Sequence, residues 1–394
     1  MDILKLATTI IDRNHSYGID DPFYILDLNQ VKQKYQNWIE NLPQIIPHYA
    51  VKCNDDENIL NVLKNCGTGF DCASKNEIEK ILKLYVDPSR IIFAHTVKQV
   101  SHLKFAAEKG VEKMTFDTEA ELQKIKQFHP KAKVVLRIRF DAAKSLFELG
   151  SKFGAEPKME ARRLVKICKE LELNLIGVSF HVGSGTVDYE VFGHAIDEVR
   201  EIFDYAKNYG YELHLVDIGG GFMGHDDKLL KNYAYFINSA IERNFNDENI
   251  KIIAEPGQYF AISAMSIVTQ IVLKKYSQNG HVHYFINDGV YGSFRSIYSY
   301  NQFVNVTVIK KSKIHENSSK IAEQKLSTIW GCTCSSRDKI IENIMMNEVE
   351  IGDWLIFNNM GAYSTVLSTD FNGFARGKMY YLGMKVGRGK LASI

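Results

Sequence analysis

The sequence predicts an α/β protein made of a closed TIM-type barrel of eight βα units and a β-rich domain. Three observations carry this reading. Between residues 45 and 254, short β-branched runs alternate with longer amphipathic stretches, eight times in succession. The C-terminal end of each of those runs carries an ionisable residue, as the catalytic face of such a barrel does. After about residue 262 the long helical patterns thin out and strand-like runs take over.

The barrel strands are expected at 45–51, 69–73, 90–94, 113–116, 133–139, 175–181, 212–218 and 251–254. Asn54, Asp55 and Asp56 can open a helix after the first of them. "SKNEIEKILKL" places Ile78, Ile81 and Leu82 on one face behind a capping Ser74. "DTEAELQKIKQF" starts from Asp117 or Thr118 and has carboxylates in its first turn, where the helix dipole favours them. "ARRLVKICKELEL" and "VFGHAIDEVREIFDYAKNY" are longer amphipathic runs. Eight successive units favour a closed barrel over an open doubly wound sheet. Beyond it, "SIVTQIVLKKY", "HVHYFIND", "FVNVTVIKKSK" and "DWLIFNNM" read as strands, and the early "DPFYILDL" joins them. The expected domains are therefore a barrel over 28–262 and a β domain built from 1–27 and 263–394. "KIHENSSKIAEQK" is the most loop-like stretch.

Composition narrows the function. The chain has 394 residues, 45% hydrophobic, enough for a sizeable core. A formal net charge of +1 disfavours a broad nucleic-acid or anionic-membrane footprint. No run approaches the ~20 apolar residues of a membrane span. The cysteines, Cys53, Cys66, Cys72, Cys168, Cys332 and Cys334, form no C-x-x-C pair, and Cys332-Thr333-Cys334 is too tight for an ordinary zinc knuckle. No metal site is expected. Free thiols fit a soluble protein of a reducing compartment, the cytoplasm.

The residues at the strand ends are Lys52, Asp71, His95, Asp117, Arg137, His181, Asp217 and Glu255. A lysine at the mouth of an apolar strand either snorkels to water or is kept near the core for chemistry. Gly219, Gly220 and Gly221 follow a strand; they admit close approach of an anion, or simply make a tight turn. "AEPGQ" ends the next strand with a carboxylate and a Pro-Gly turn, and adjacent late strands of a barrel often build a phosphate site. A lysine, a phosphate cradle and a strand-end carboxylate together fit pyridoxal 5′-phosphate. The amine forms a Schiff base, and the carboxylate keeps the pyridine nitrogen protonated so that the ring draws electrons from a carbanion.

"YAVKCN", "FDCASKNEI", "SKFGA", "GVSFHVGSGT", "VDIGGGF", "IAEPG", "NDGVYGSF", "NMGAYS" and "FNGF" occur in the order found in eukaryotic ornithine decarboxylases, and the chain resembles that family from about residue 22 to 375. The resemblance implies an alanine-racemase-like fold, pyridoxal phosphate, a small basic amino-acid substrate, putrescine and polyamine synthesis, and a head-to-tail homodimer with shared sites. By motif it makes Lys52 the Schiff-base lysine, stacks His181 on the ring and pairs Glu255 with the ring nitrogen. Asp71, Glu77 and Arg137 become the supporting shell. Ser184, Gly220, Gly221, Pro256, Gly257, Gln258 and Tyr363 fall on the phosphate side. Cys334 corresponds to the thiol that protonates the product from the partner subunit. Lys152 and Asp338 correspond to a pair bridging the dimer, with Tyr291 also at the interface, and Phe371 reaches the neighbour's pocket. "DAAKSLFELGSK" resembles a mobile loop near that pocket. His95 and His102 read as structural, Cys53, Cys66 and Cys168 as packing thiols, and Cys332 has no assigned role.

Several positions depart from the pattern. Gln258 stands where the family has Arg, removing a charged hold on phosphate. The two acids that recognise the distal amine of ornithine are replaced, one by Ser299 or Tyr300 and the other by Ser335, and residues 293–310 contain no acid to compensate. A charged hydrogen bond contributes about 1.5–3 kcal/mol. His95-Thr96 replaces the family's Asn-Pro. The expectation is an ornithine decarboxylase with an atypical substrate pocket. The alternatives are a decarboxylase of another basic amino acid, or a weakly active regulatory paralogue that works through a protein partner.

Overall fold

The computed structural model describes residues 2–140, 150–246, 249–300, 306–310 and 324–383, without the side chains of 298–300. Residues 141–149 of the expected mobile segment 141–152, and most of the loop-like stretch 313–325, lie outside the described residues. The chain divides into two units, Val31–Phe260 and the combination of Met1–Gln30 with Ala261–Ile394.

Strand β1 (Phe23–Asp27) belongs to the second unit. The first unit is a barrel of β2 (Ile45–Ala50), β3 (Gly69–Cys72), β4 (Ile91–Phe93), β5 (Lys113–Phe116), β6 (Lys133–Arg137), β7 (Asn174–Ser179), β8 (Leu215–Asp217) and β9 (Lys251–Ala254). The strands pair in parallel in sequence order, and β9 closes on β2 through Ile45↔Ile252, Ile46↔Ile253 and Pro47↔Ala254. The eight expected runs all form, and most are one or two residues shorter than expected. The largest loss is at 212–218, which contributes only three strand residues because its flanks turn away to carry loops. Inside the barrel Ile92, Val135, Ile176, Leu215 and Ile253 pack into a closed apolar cluster. A filled interior leaves the strand ends as the place for polar chemistry.

The helices between strands start where their side chains can cap them. Asp56 accepts from the N–H of Asn58 at 2.9 Å and so opens Glu57–Cys66. Ser74 accepts from Glu77 N–H to open Lys75–Lys83, and the Glu77 carboxylate reaches back to Ala73 N–H at 2.6 Å, a reciprocal arrangement akin to a capping box. Thr118, rather than Asp117, caps Glu119–Phe128. Asp117 is used elsewhere, accepting from Gly154 N–H at 2.9 Å.

The rim is braced from within by a buried cation. Lys98 has a fully buried side chain and pairs with Glu121 (4% exposed) at 2.9 Å. It also donates to the carbonyls of Thr115 (2.6 Å) and His95 (3.0 Å), tying β5 to the end of β4. Burial lowers the Lys98 pKa to about 8, against the pull of Glu121.

The second unit is a sheet in the order β12 (Val306–Ile309), β15 (Trp354–Phe357), β10 (Met265–Tyr276), β11 (Val282–Ile286), β13 (Gln324–Trp330) and β14 (Lys339–Asn347). β1 pairs antiparallel with β10 and parallel with β16 (Lys378–Leu382), so "DPFYILDL" does join this sheet. The helix Ile3–Ser16 covers it, burying Leu6, Ala7, Ile10 and Ile11 against Phe23, Ile25, Val268, Trp354 and Ile356.

Replacing Glu121 by Gln leaves the Lys98 ammonium buried without its counter-charge. It is expected to lower unfolding stability by about 3–5 kcal/mol, read from denaturant midpoints at unchanged slope.

Candidate active site

Past β2 the chain turns at once into a short 3₁₀ turn, Val51–Cys53, which buries Val51 and Cys53 and turns Lys52 outward. The Lys52 side chain is 44% exposed, yet its Nζ forms an ion pair with Asp71, which is fully buried at the end of β3. The two readings of this lysine thus meet in one residue: the stem is open to solvent while the ammonium is held by a core carboxylate. Among the described residues Asp71 Oδ1 has no hydrogen-bond partner. Behind it Glu77 is pushed upward in pKa, first by burial and then by the Asp71 charge, against the Ala73 N–H bond.

Arg137 ends β6. Its guanidinium lies 5.0 Å from the Phe153 ring, and the Lys152 ammonium also lies 5.0 Å from that ring. The segment bearing Phe153 is fastened to the strand end by Ala155 N–H to Arg137 O (2.9 Å) and Arg139 N–H to Ala155 O (2.8 Å). His95 sits 6.0 Å from Phe153, its pKa lowered mainly by burial and then by Lys98.

His181 follows β7. Its Nδ1 accepts from Gly183 N–H at 3.0 Å, so the neutral ring carries its proton on Nε2. Burial, then Arg137 and Lys52, hold its pKa well below the usual histidine range. The ring abuts the glycine triplet: a Cβ on Gly220 would stand 2.9 Å from His181 Nε2 and 2.9 Å from the Glu255 carbonyl. Gly219 has φ +64 and Gly221 φ +105, the left-handed region that favours glycine. The triplet is therefore both a tight turn and a bare backbone surface. Ser184 lies half-buried in the loop after His181.

Glu255 follows β9. Its N–H donates to Gly219 O at 2.6 Å, and Gly219 N–H donates to Asp217 Oδ1 at 2.9 Å. The Asp217 and Glu255 carboxyls act on each other electrostatically, and among the described residues neither Asp217 Oδ2 nor Glu255 Oε1 has a hydrogen-bond partner. Burial pushes Asp217 up to about 7 and Glu255 well above the usual carboxylate range, with each other's charge adding to the shift of Glu255. The following turn closes on β2: Ala50 N–H donates to Pro256 O at 3.3 Å, and a Cβ on Gly257 would fall 2.8 Å from Cys53 Cβ. Gln258 begins the short helix Gln258–Ala261.

A second cluster lies in the β unit. Asp338, 1% exposed, accepts from Val290 N–H (2.8 Å), Thr333 N–H (2.9 Å) and Thr333 Oγ1 (2.6 Å). These bonds make Asp338 the organiser of its own loop. That loop presents Cys334, which is exposed and whose N–H donates to Asn372 Oδ1 at 2.9 Å. Ser335 Oγ and Tyr291 OH are hydrogen-bonded at 2.9 Å, and the Tyr291 and Phe371 rings are 4.7 Å apart. Tyr363 holds a φ of +54, an uncommon conformation for a bulky residue. Ser299 and Tyr300 end the helix Arg295–Tyr300, and their side chains lie outside the described residues. Asp217 was visible as a rim residue, but its contact with Glu255 was not, because the two are separated by a whole βα unit. The Phe153 contacts and the Asn372 bond carried no sequence signal. Among the described residues there is no cluster of three or more His, Cys, Asp or Glu able to hold a metal, and no helix is long and apolar enough to cross a membrane.

The donor set of the barrel rim suits pyridoxal phosphate. Lys52 supplies the amine, the donor-less Glu255 Oε1 suits a protonated ring nitrogen, and the Cβ-free triplet leaves backbone open beside His181. Comparison with known proteins agrees. The family model for the pyridoxal-binding domain of pyridoxal-dependent decarboxylases matches residues 28–262. Rat ornithine decarboxylase is 43% identical over 378 residues, covering 92% of this chain and 80% of the relative. Antizyme inhibitor 2 of Xenopus laevis is 41% identical over 375 residues, covering 92% of this chain and 81% of the relative. Among solved structures, the arginine decarboxylase of Paramecium bursaria Chlorella virus bound to agmatine matches with a TM-score of 0.90 and 37% identity, covering 96% of this chain and 100% of that one. The chain therefore belongs to the pyridoxal-dependent decarboxylases of the ornithine/arginine type. Its cofactor is pyridoxal 5′-phosphate.

Replacing Gly220 by Ala forces a methyl against the Glu255 carbonyl and the His181 ring. Strain of about 1–3 kcal/mol taken up at this site corresponds to a loss of cofactor affinity of roughly tenfold to a hundredfold, measured by absorbance titration with pyridoxal phosphate.

Proposed function

We propose that the protein decarboxylates L-ornithine to putrescine and carbon dioxide, as a cytoplasmic homodimer with shared sites, from a substrate pocket poorer in charge than is usual for the reaction. What supports this reading is the gathering of Lys52, Asp71, His181 and Glu255 at one barrel rim in a chain 43% identical to an ornithine decarboxylase.

When bound, pyridoxal phosphate supplies the electron sink that makes loss of the α-carboxylate feasible. The protein's own groups have the following roles. Lys52 is the covalent anchor, and Asp71 keeps its ammonium at the rim until the amine is needed neutral. Glu255 would pair with the ring nitrogen, while neutral His181 would offer the ring a flat, uncharged face. Arg137 and Glu77 complete the supporting shell. The backbone of Gly220 and Gly221, with Ser184, the Pro256–Gly257 turn, Gln258 and Tyr363, takes the phosphate; Gln258 does so without a guanidinium's charge. Cys334 of the second subunit returns a proton to the substrate α-carbon, with Phe371 beside it. Lys152, Asp338 and Tyr291 serve the contact between subunits.

The distal ammonium of the substrate meets Ser335, already hydrogen-bonded to Tyr291, in place of a carboxylate. Each lost charged bond, at about 1.5–3 kcal/mol, weakens ornithine use by roughly tenfold to a hundredfold. A second reading, a regulatory paralogue with little catalysis, draws on the 41% identity to antizyme inhibitor 2.

Borohydride is expected to fix the cofactor on Lys52, and Lys52→Ala to abolish that adduct; an adduct retained by the variant sinks the assignment. Labelled carbon dioxide release should then be compared for ornithine, lysine, arginine and diaminopimelate. Turnover of ornithine at high KM, improved by Ser335→Asp or Tyr300→Asp, is the expected result. No release from any of them by cofactor-loaded protein favours the regulatory reading.

A further inference from the structure

Asp217 has no part in the roles above, yet it is fully buried beside one of the principal groups. It hangs from Gly219 N–H by Oδ1, and its carboxyl is close enough to that of Glu255 for each to act on the other. Glu255 is in turn fixed by its own N–H on the Gly219 carbonyl. One glycine thus clamps both acids, and among the described residues Asp217 Oδ2 and Glu255 Oε1 are buried atoms without a hydrogen-bond partner. Two neighbouring carboxylates whose oxygens are shut off from water are not both ionised unless a further cation joins them; without one, a proton has to lie between them. The charged groups around them do not remove the need for it. Lys52, from the turn after β2, is matched by Asp71 at the end of β3. Arg137, at the end of β6, acts on both acids, Lys113, at the start of β5, interacts with Asp217, and His181, after β7, is neutral.

We propose that Asp217 is a positioning residue that holds one shared proton on the Asp217–Glu255 pair, and that this proton leaves when a protonated pyridine nitrogen comes to Glu255. The inference rests on the pyridoxal phosphate reading of the site. The balance is simple. Before docking, the pair and its proton carry one negative charge. Afterwards two carboxylates and one pyridinium carry the same. The O–H bond of the pair breaks, its proton passes to solvent, and the ring N–H takes its place as the donor to Glu255. A cofactor arriving with an unprotonated ring nitrogen would receive that proton instead. In both cases the pair contributes one proton that a lone Glu255 could not.

Pairing with Asp217 thus makes cofactor binding tighten as pH rises, because a proton is released on docking. An Asp217→Asn variant leaves Glu255 ionised from the start, so its binding loses that dependence. The test uses the full chain stripped of cofactor and titrated with pyridoxal phosphate between pH 6 and pH 8. Titration heats measured in buffers of different ionisation enthalpy give the protons exchanged. Wild type is expected to release about one proton more than Asp217→Asn, and its affinity to rise up to tenfold more per pH unit. Glu255→Gln should lose the same proton, whereas Asp217→Glu should retain it. A purely structural role for Asp217 would lower affinity but leave the proton count unchanged. Should the variants fold poorly, infrared difference spectra of wild type alone decide: a protonated-carboxyl band must disappear when pyridoxal phosphate is added. Equal proton counts in wild type and Asp217→Asn, or no such band, overturn the proposal while leaving the cofactor reading intact. Failure of borohydride to fix the cofactor on wild-type Lys52 overturns both.

Discussion

Closure of β9 onto β2 is the contact on which the site depends. It sets Lys52, early in the chain, beside Glu255, two hundred residues later, through three register pairs and the Ala50 to Pro256 hydrogen bond. Parallel pairing also brings both chain exits to the same end of the barrel. The lack of a side chain at Gly257 follows from this closure, because a Cβ there would press on Cys53 and Ala50. Everything polar at the rim is then crowded into one layer above a filled apolar interior. That is why burial, more than any individual charge, heads the causes that shift His181, Asp217 and Glu255.

The barrel was legible because its strands are short β-branched runs separated by helices with local start signals. Asp56, Ser74 and Thr118 are such signals, and each caps its helix as a nearby hydrogen bond. The β unit was less legible. β14 and β16 are only partly buried along their length, so they lack the strict alternation that marks a strand, and β13, β14 and β16 were not foreseen. The helix Ile3–Ser16 was missed as well. Its apolar face, Leu6, Ala7, Ile10 and Ile11, gains meaning only from the sheet it covers.

The candidate site divides in the same way. Strand-end residues could be read from pattern alone, since a barrel fixes where its strand ends go. Contacts across the rim could not. The Asp217–Glu255 interaction and the use of Asp117 to hold Gly154 depend on loop paths that no local spacing encodes. The three groups gathered at Phe153, namely Arg137, Lys152 and His95, likewise come from separate stretches of the chain.

The loop bearing Cys334 and Ser335 owes its shape to Asp338, a carboxylate that faces inward and binds Thr333 and Val290. The outward side chains, Cys334 and Arg337 among them, contribute little to holding it. Shape and chemistry are therefore encoded by different residues. Such a loop can exchange its outward groups without unfolding the domain that carries it.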